Sequence, residues 1–369
     1  MEQLMTTIMA VTGKQIIMLA IGGGLIYLAI KKDYEPALLL PIGFGTLLVN
    51  IPFSAAVGDE GILTILFKSG IMTELFPLLI FIAVGAMIDF SPLLQNPVTL
   101  LFGAAAQFGI FFTVAMAALL GFTINEAAAI GIIGAADGPT SIYVASRYAS
   151  SLIGPISVAA YTYMSLVPII QPPVIKALTT KEERRIKMEY NPYGVSKRAK
   201  ILFPIIVTIV AGFIAPVSLP LIGFLMFGNL IRECGRLDRL SETAQQELSN
   251  LVTILLGITI GARMGAEEFL NLKTLAIIAM GLVAFIFDTA GGVLFAKLLN
   301  LFRKKKINPM IGAAGISAFP MSARVIHKMG QKEDPSNFLL MHAISANVAG
   351  QIGSVIAGGL IMAFLSGLM

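Results

Sequence analysis

Asp137 is an acid set in an apolar, glycine-rich run, Ile133–Arg147 (IGAADGPTSIYVASR), which is echoed at Ile311–Arg324 (IGAAGISAFPMSAR). With one gap opposite Asp137, Gly138 aligns with Gly315, Thr140 with Ser317 and Arg147 with Arg324. Each run is expected to be a helix broken at its centre, by Pro139 in the first and Pro320 in the second. A proline ring cannot complete the helical ladder. Broken helices at matching places in two halves of an apolar chain point to a midplane transport site.

Asp137 is the leading candidate. A carboxylate at membrane depth costs at least ~2.5 kcal/mol, so it is read first as functional. It would bind a cation or a proton. The competing reading is an acid that caps the second half-helix before Gly138-Pro139. Thr140 and Ser317 are expected at matching places just past each break. Their hydroxyls suit a monovalent hard cation, although local backbone hydrogen bonding in a kinked helix would also explain them. Asp288, in AFIFDTAGG, is a second mid-span acid, either another ion site or the partner of a buried arginine. Arg324 lies beyond the second break, where its planar fork fits a carboxylate; a snorkelling arginine is the alternative. His327 and His342 are the only histidines and lack metal-ligand spacing, which argues against zinc. Glu126 fits a capping box with Thr123 and reads as structural.

The composition fixes what must hold these residues. The chain is 56% hydrophobic and 13% charged, with a mean hydropathy of +0.85. Soluble domains carry roughly 25% charged residues. Apolar runs near span length recur, so the chain reads as an all-α polytopic membrane protein. A single cysteine, Cys234, excludes an intrachain disulfide. The opening MEQLMTTIMAVTGKQ lacks a basic region and a cleavage site, so no signal peptide is expected. No Gly-Lys-Ser/Thr phosphate loop is present. The net charge of +5 is assigned to cytoplasmic loops, not to nucleic acid.

Spans are expected near 14–30, 36–52, 71–89, 97–121 and 152–176 in the first half. In the second they fall near 201–216, 218–231, 248–264, 273–299 and 336–366. The broken segments are 126–149 and 308–329. The halves repeat at about 180 residues: Pro41-Ile-Gly-Phe returns as Leu221-Ile-Gly-Phe, and LQNPVTL at 94–100 as LNLKTL at 270–275. Residues 1–178 and 201–369 are thus two repeats joined by a basic linker, 179–200. The stretches 176–200, 232–239 and 297–306 hold most of the basic residues and are placed in the cytoplasm. Their first-half counterparts, 53–70 and 121–126, hold only Lys68. Equivalent loops on opposite sides mean inverted-topology repeats. This requires five crossings per repeat, a re-entrant broken helix in each, and both termini outside. Twelve full spans in parallel repeats is the alternative.

Four stretches carry a family resemblance: GAADGPTSIYVASRYA at 134–149, AYTYM at 160–164, NPMIGAAGISAFPMSAR at 308–324 and ANVAGQIGS at 346–354. They resemble the beta subunit of the sodium-pumping biotin-dependent decarboxylases, which act on oxaloacetate, methylmalonyl-CoA, glutaconyl-CoA or malonate. The resemblance implies a membrane subunit that decarboxylates carboxybiotin, consumes a proton and exports sodium ions. It implies Asp137 as the sodium carboxylate, Asn308, Gly312, Ser317 and Asn347 as further sodium-site positions, and Tyr163 beside the ion path in proton delivery. Arg324 would meet the carboxybiotin carboxylate. It also implies a biotin carrier protein, a soluble carboxyltransferase alpha subunit and a small membrane-anchoring subunit as partners. The biotin sits on a partner and not on this chain. An oligomer of the chain in the inner membrane of a prokaryote is expected. The chain is shorter than the oxaloacetate member, mainly at its N-terminus by this reading, which favours an acyl-CoA decarboxylase. A sodium/proton antiporter with no attached enzyme is the alternative; it would need neither Arg324 nor basic docking loops.

Overall fold

The structure is a computed structural model and describes residues 2–32, 36–188 and 194–367. All regular structure among the described residues is helical. The first half contains α1 (Gly13–Lys32), α2 (Pro36–Asn50), α3 (Leu75–Met87) and α4 (Pro97–Leu119). It continues with α5 (Ile124–Ala135), α6 (Gly138–Tyr148) and α7 (Ser150–Leu178). The second half contains α8 (Lys197–Ile214), α9 (Leu219–Glu233), α10 (Ser249–Gly261) and α11 (Leu272–Phe302). Then follow α12 (Met310–Ala313), α13 (Met321–Glu333) and α14 (Leu340–Gly367). Residues 189–193 of the linker lie outside the described residues.

Five helices, α1, α4, α7, α11 and α14, are long and apolar enough to cross a bilayer. The pair Ile62–Ile71 and α3, bent by 62°, would make a sixth. The chain is a multi-pass membrane protein. The four other expected spans fall on α8, with 18 residues, on α2 and α9, with 15 each, and on α10, with 13 beyond the helical turns of Asp238–Leu248. A 15-residue helix reaches only ~22 Å, against a hydrocarbon core of ~30 Å.

The packing uses one pattern twice. α1 packs on α2, and α8 on α9; α2 crosses α10, while α9 crosses α3. α7 lies on α11, and α14 on α4. The α2–α10 and α9–α3 crossings are made by glycines. Gly45 faces the Ile258 carbonyl and Gly261 the Ile42 carbonyl; Gly85 faces Leu225 and Gly228 faces Ile82. In lipid no hydrophobic force drives helices together, so close backbone approach supplies the contact energy. Buried asparagines finish both crossings. Asn50 donates to the Met264 carbonyl at 2.9 Å and accepts from Ala266 N–H at 2.9 Å. Asn229, 179 positions later, donates to the Ile88 carbonyl at 2.8 Å.

A Cβ at Gly85 would collide with the Leu225 carbonyl, whereas one at Gly23 would meet nothing within 4 Å. Helix propensity alone makes alanine the better residue at both places. Gly85→Ala is therefore expected to cost about 1–3 kcal/mol by overpacking, while Gly23→Ala is neutral or slightly stabilising. Thermal scans of the detergent-solubilised protein check this. Equal melting of the two variants would contradict the crossing.

The breaks differ from the sequence reading in two respects. In the first, Ala136 is left-handed, with φ of 51°, and Asp137 is extended. Pro139 then sits in the first turn of α6. Proline starts the second half-helix, where its missing N–H has no partner to lose, and does not make the break. In the second run the chain is unwound from Ala314 to Pro320, between α12 and α13. Ser317 thus lies inside the unwound stretch and not beyond it, while Thr140 is already helical.

Candidate functional site

The two breaks meet. The backbone N–H of Ser317 donates to the Ala135 carbonyl at 2.9 Å, tying the second unwound stretch to the last residue of α5, where the first break begins. Long helices then supply side chains to each break. From α14, Gln351 and Ser354 reach the first break; from α7, Gln171 reaches the second, donating to the Ala313 carbonyl at 2.9 Å. Gln171 and Gln351 are 180 positions apart, so each half of the chain serves the broken element of the other.

Asp137 is 3% exposed, and four donors surround its carboxylate. Oδ1 accepts from Thr140 N–H at 3.1 Å. Oδ2 accepts from the Thr140 hydroxyl at 2.8 Å, the Ser354 hydroxyl at 2.7 Å and Gln351 Nε2 at 3.3 Å. The capping reading of Asp137 therefore holds in the geometry, beside any other role. A cavity of about 190 Å³ opens on it, lined by Ala37, Asp137, Tyr161, Ser317, Phe319 and Gln351. Its reachable donors are oxygens, with the Gln351 amide able to present Oε1 by rotation. Oxygen ligands suit hard cations. Among the described residues no cluster of three His, Cys, Asp or Glu side chains could hold a metal ion.

The remaining candidates fall in different places. Ser317 lines the cavity, and its hydroxyl donates to the Gly350 carbonyl at 2.9 Å. Asn347 donates to the Ile316 carbonyl at 2.6 Å, leaving its Oδ1 buried without a partner. Gly312 packs on Gly292 of α11, where neither position has room for a Cβ. Asp288 makes no hydrogen bond to Asp137 and is wedged against Gly109 and Gly134. Its Oδ1 accepts from Ile110 N–H at 3.1 Å, next to the interruption of α4 at Gln107. Its partner is thus backbone and not an arginine. Asn308 contacts neither Asp137 nor that residue's partners; its amide donates to the Arg184 and Ile186 carbonyls, both at 2.9 Å.

Tyr163 donates to the Ile278 carbonyl of α11. Tyr161, two residues earlier on the opposite side of α7, is the tyrosine beside Asp137: its ring fills the space against Gly138 and its hydroxyl is buried without a partner. The sequence offers both tyrosines in AYTYM, and only the register of α7 chooses between them. Gln351 and Ser354 did carry a signal. With Asn347 they stand at i, i+4 and i+7 in an apolar helix, a single narrow polar stripe.

A second cavity has a volume of about 520 Å³. Pro36 and Met321 line it, next in sequence to the Ala37 and near the Phe319 that line the inner one. Its cations are Lys176, Arg324, Lys328 and Lys332, the last three at helical i, i+4, i+8 spacing along α13. Arg324 is exposed, and its guanidinium makes no ion pair among the described residues. Arg147, aligned with it in the first run, behaves differently. Arg147 Nε lies 2.8 Å from Glu74 and its guanidinium 4.6 Å from the Tyr143 ring centre. The structure thus holds a basic cavity and a buried carboxylate ringed by oxygens, groups whose chemistry suits an anion and a cation respectively.

Comparison with known proteins identifies the family. Residues 14–365 match the family described as Na+-transporting oxaloacetate decarboxylase beta subunit. The chain is 54% identical over 358 residues to glutaconyl-CoA decarboxylase subunit beta of Acidaminococcus fermentans, covering 97% of this chain and 95% of that one. It is equally identical, over the same length and coverage, to methylmalonyl-CoA decarboxylase subunit beta of Veillonella parvula. Identity to the oxaloacetate decarboxylase beta chain of Klebsiella pneumoniae is 47% over 412 residues, covering 95% of each chain. That alignment is longer than this chain, so most of the relative's extra length lies within the aligned region. The expected resemblance is borne out, and the antiporter reading is not favoured. The chain belongs to the family of Na+-transporting oxaloacetate decarboxylase beta subunits and is the membrane subunit of a decarboxylase.

Proposed function

We propose that this subunit decarboxylates carboxybiotin, presented by a biotin carrier protein, and uses the reaction to export sodium ions with consumption of a proton. The observation that carries this reading is the buried Asp137 carboxylate at the junction of the two breaks, together with the basic cavity lined by Arg324. Asp137, Thr140, Ser317 and Asn347, with Gln351 and Ser354, supply oxygens for sodium. Arg324 holds the carboxylate of the incoming group. Tyr161 and Tyr163 flank the path, and a buried hydroxyl on the cavity wall can pass a proton.

The coupling needs two states that bind sodium with different affinity, since a ligand with equal affinity for both shifts nothing. Exporting each positive charge costs about 2.3 kcal/mol per 100 mV. Decarboxylation must bias the states by at least that much. The proton entering from outside offsets one charge.

In the same reading the chain is two inverted-topology repeats, 1–178 and 201–369, each with five crossings and one re-entrant hairpin. The reciprocal packing supports this, as do Asn50 with Asn229 and Gln171 with Gln351. So does the joining of the basic stretches at one end: Lys297 lies 3.2 Å from Glu183, and Lys200 3.8 Å from Glu233. That end faces the cytoplasm of a prokaryote, with a soluble carboxyltransferase alpha subunit, the biotin carrier and a small membrane anchor assembled on it. The higher identity to the glutaconyl-CoA and methylmalonyl-CoA subunits supports an acyl-CoA over oxaloacetate as the upstream substrate.

The test is purification of the tagged chain in mild detergent and reconstitution into liposomes. A biotinylated protein should copurify, and substrate should drive sodium uptake into vesicles whose pump faces outward. An intact complex with no biotinylated member, or decarboxylation at the same rate with and without sodium, would overturn the proposal.

A further inference from the structure

The linker that joins the two repeats does more than connect them. Residues 179–187 run across the base of the second hairpin and bond to both of its ends. At the entry, Asn308 is fully buried and donates to the Arg184 and Ile186 carbonyls, while its own Oδ1 accepts from Met310 N–H at 3.1 Å. At the exit, Asn337 is 1% exposed and donates to the same two carbonyls, at 3.3 Å each. Two buried amides from opposite ends of one hairpin thus share one pair of linker carbonyls.

Charges reinforce the clasp. Arg184 Nε pairs with Glu333 at 2.8 Å, and Arg185 Nε donates to the Glu333 carbonyl at 3.2 Å. Lys187 lies 3.1 Å from Asp334. The Ser336 hydroxyl and N–H, followed by Lys187, hold the Asp334 carboxyl at a pKa of about 2, so it stays ionised throughout the physiological range. Glu183 binds Lys297 of α11, which also donates to the Leu178 carbonyl at 3.0 Å. The first hairpin has no such cover among the described residues. Its entry is held by the Thr123–Glu126 capping box and Lys273, and its far end by Arg147 and Glu74.

We infer that residues 179–187 form a strap across the base of the second hairpin, with Asn308 and Asn337 as positioning residues that hold α13 and set Arg324 in its mouth. Glu333 is the last residue of α13, so a strap fixed there and at Asn308 limits both ends of the element that carries Arg324. Asn308 then acts through position, and not as a sodium ligand. Only the role assigned to Arg324 rests on the proposed function. The strap itself does not.

Asn308→Asp separates the two roles. The aspartate keeps an oxygen for Met310 N–H and would serve as well or better for sodium, but it cannot donate to the linker carbonyls. Asn337→Ser is a milder loosening at the other end, against misfolding. Both variants are read in the intact detergent-solubilised complex by amide hydrogen exchange and by kinetics. Losing two buried donors should speed exchange about tenfold at residues 183–187 and 308–316. The KM for the carboxylated carrier should rise, with sodium half-saturation within about twofold of wild type. Unchanged exchange, or a sodium shift at constant KM in Asn308→Asp, would overturn the strap. If the wild-type complex turns over independently of sodium, the functional reading fails while the exchange data still judge the strap.

Discussion

Asp137→Asn is expected to abolish sodium-stimulated decarboxylation while the protein still inserts and assembles. Asparagine is nearly isosteric, and its carbonyl can still accept from Thr140 N–H, so the N-cap of α6 survives. What disappears is the negative charge, in a site that is 3% exposed and whose other groups are neutral. Removing one partner of a buried charge pair costs about 3–5 kcal/mol, a sodium affinity lower by roughly 10²–10⁴-fold. Sodium titrations of carboxybiotin decarboxylation, with assembly checked by size exclusion, decide the matter. If Asp137 only caps the helix, the variant retains activity and its sodium half-saturation is unchanged.

Arg324→Lys should reduce kcat/KM for the carboxylated carrier by about 10–100-fold, because a charged hydrogen bond contributes about 1.5–3 kcal/mol. Lysine keeps the charge in the basic mouth but presents a single point donor where arginine offers a planar fork. The neighbours Lys176, Lys328 and Lys332 already supply charge, so charge alone is not what the arginine adds. Sodium half-saturation should stay near wild type, since the guanidinium makes no contact with Asp137 or its partners. Steady-state kinetics at fixed sodium, and sodium titrations at fixed carrier, separate the two parameters. Equal loss in both would mean that Arg324 supports α13 mechanically.

The sequence by itself determined the membrane class, the repeat near 180 residues and the two broken runs, because burial of apolar side chains and the helix-breaking chemistry of Gly, Pro and Asp are local properties. It also marked Asp137 and Arg324, since a charge is conspicuous against an apolar background. It misplaced the first break by assigning it to Pro139. The left-handed turn is at Ala136, a residue whose type gives no sign of it, and Pro139 suits a helix start as well as a break.

Only the tertiary structure brought Gln351, Ser354 and Tyr161 to Asp137. Those contacts join positions 24 to 217 residues apart, and depend on how α7 and α14 are rotated about their own axes. Helices that are apolar nearly all round have no broad polar face to fix that rotation. The placement of Asn308 under the linker was equally out of reach, because a buried amide looks the same in sequence whether it meets an ion or a carbonyl. Local chemistry chose the breaks and the charges; the crossing of the two repeats decided which side chains share a site.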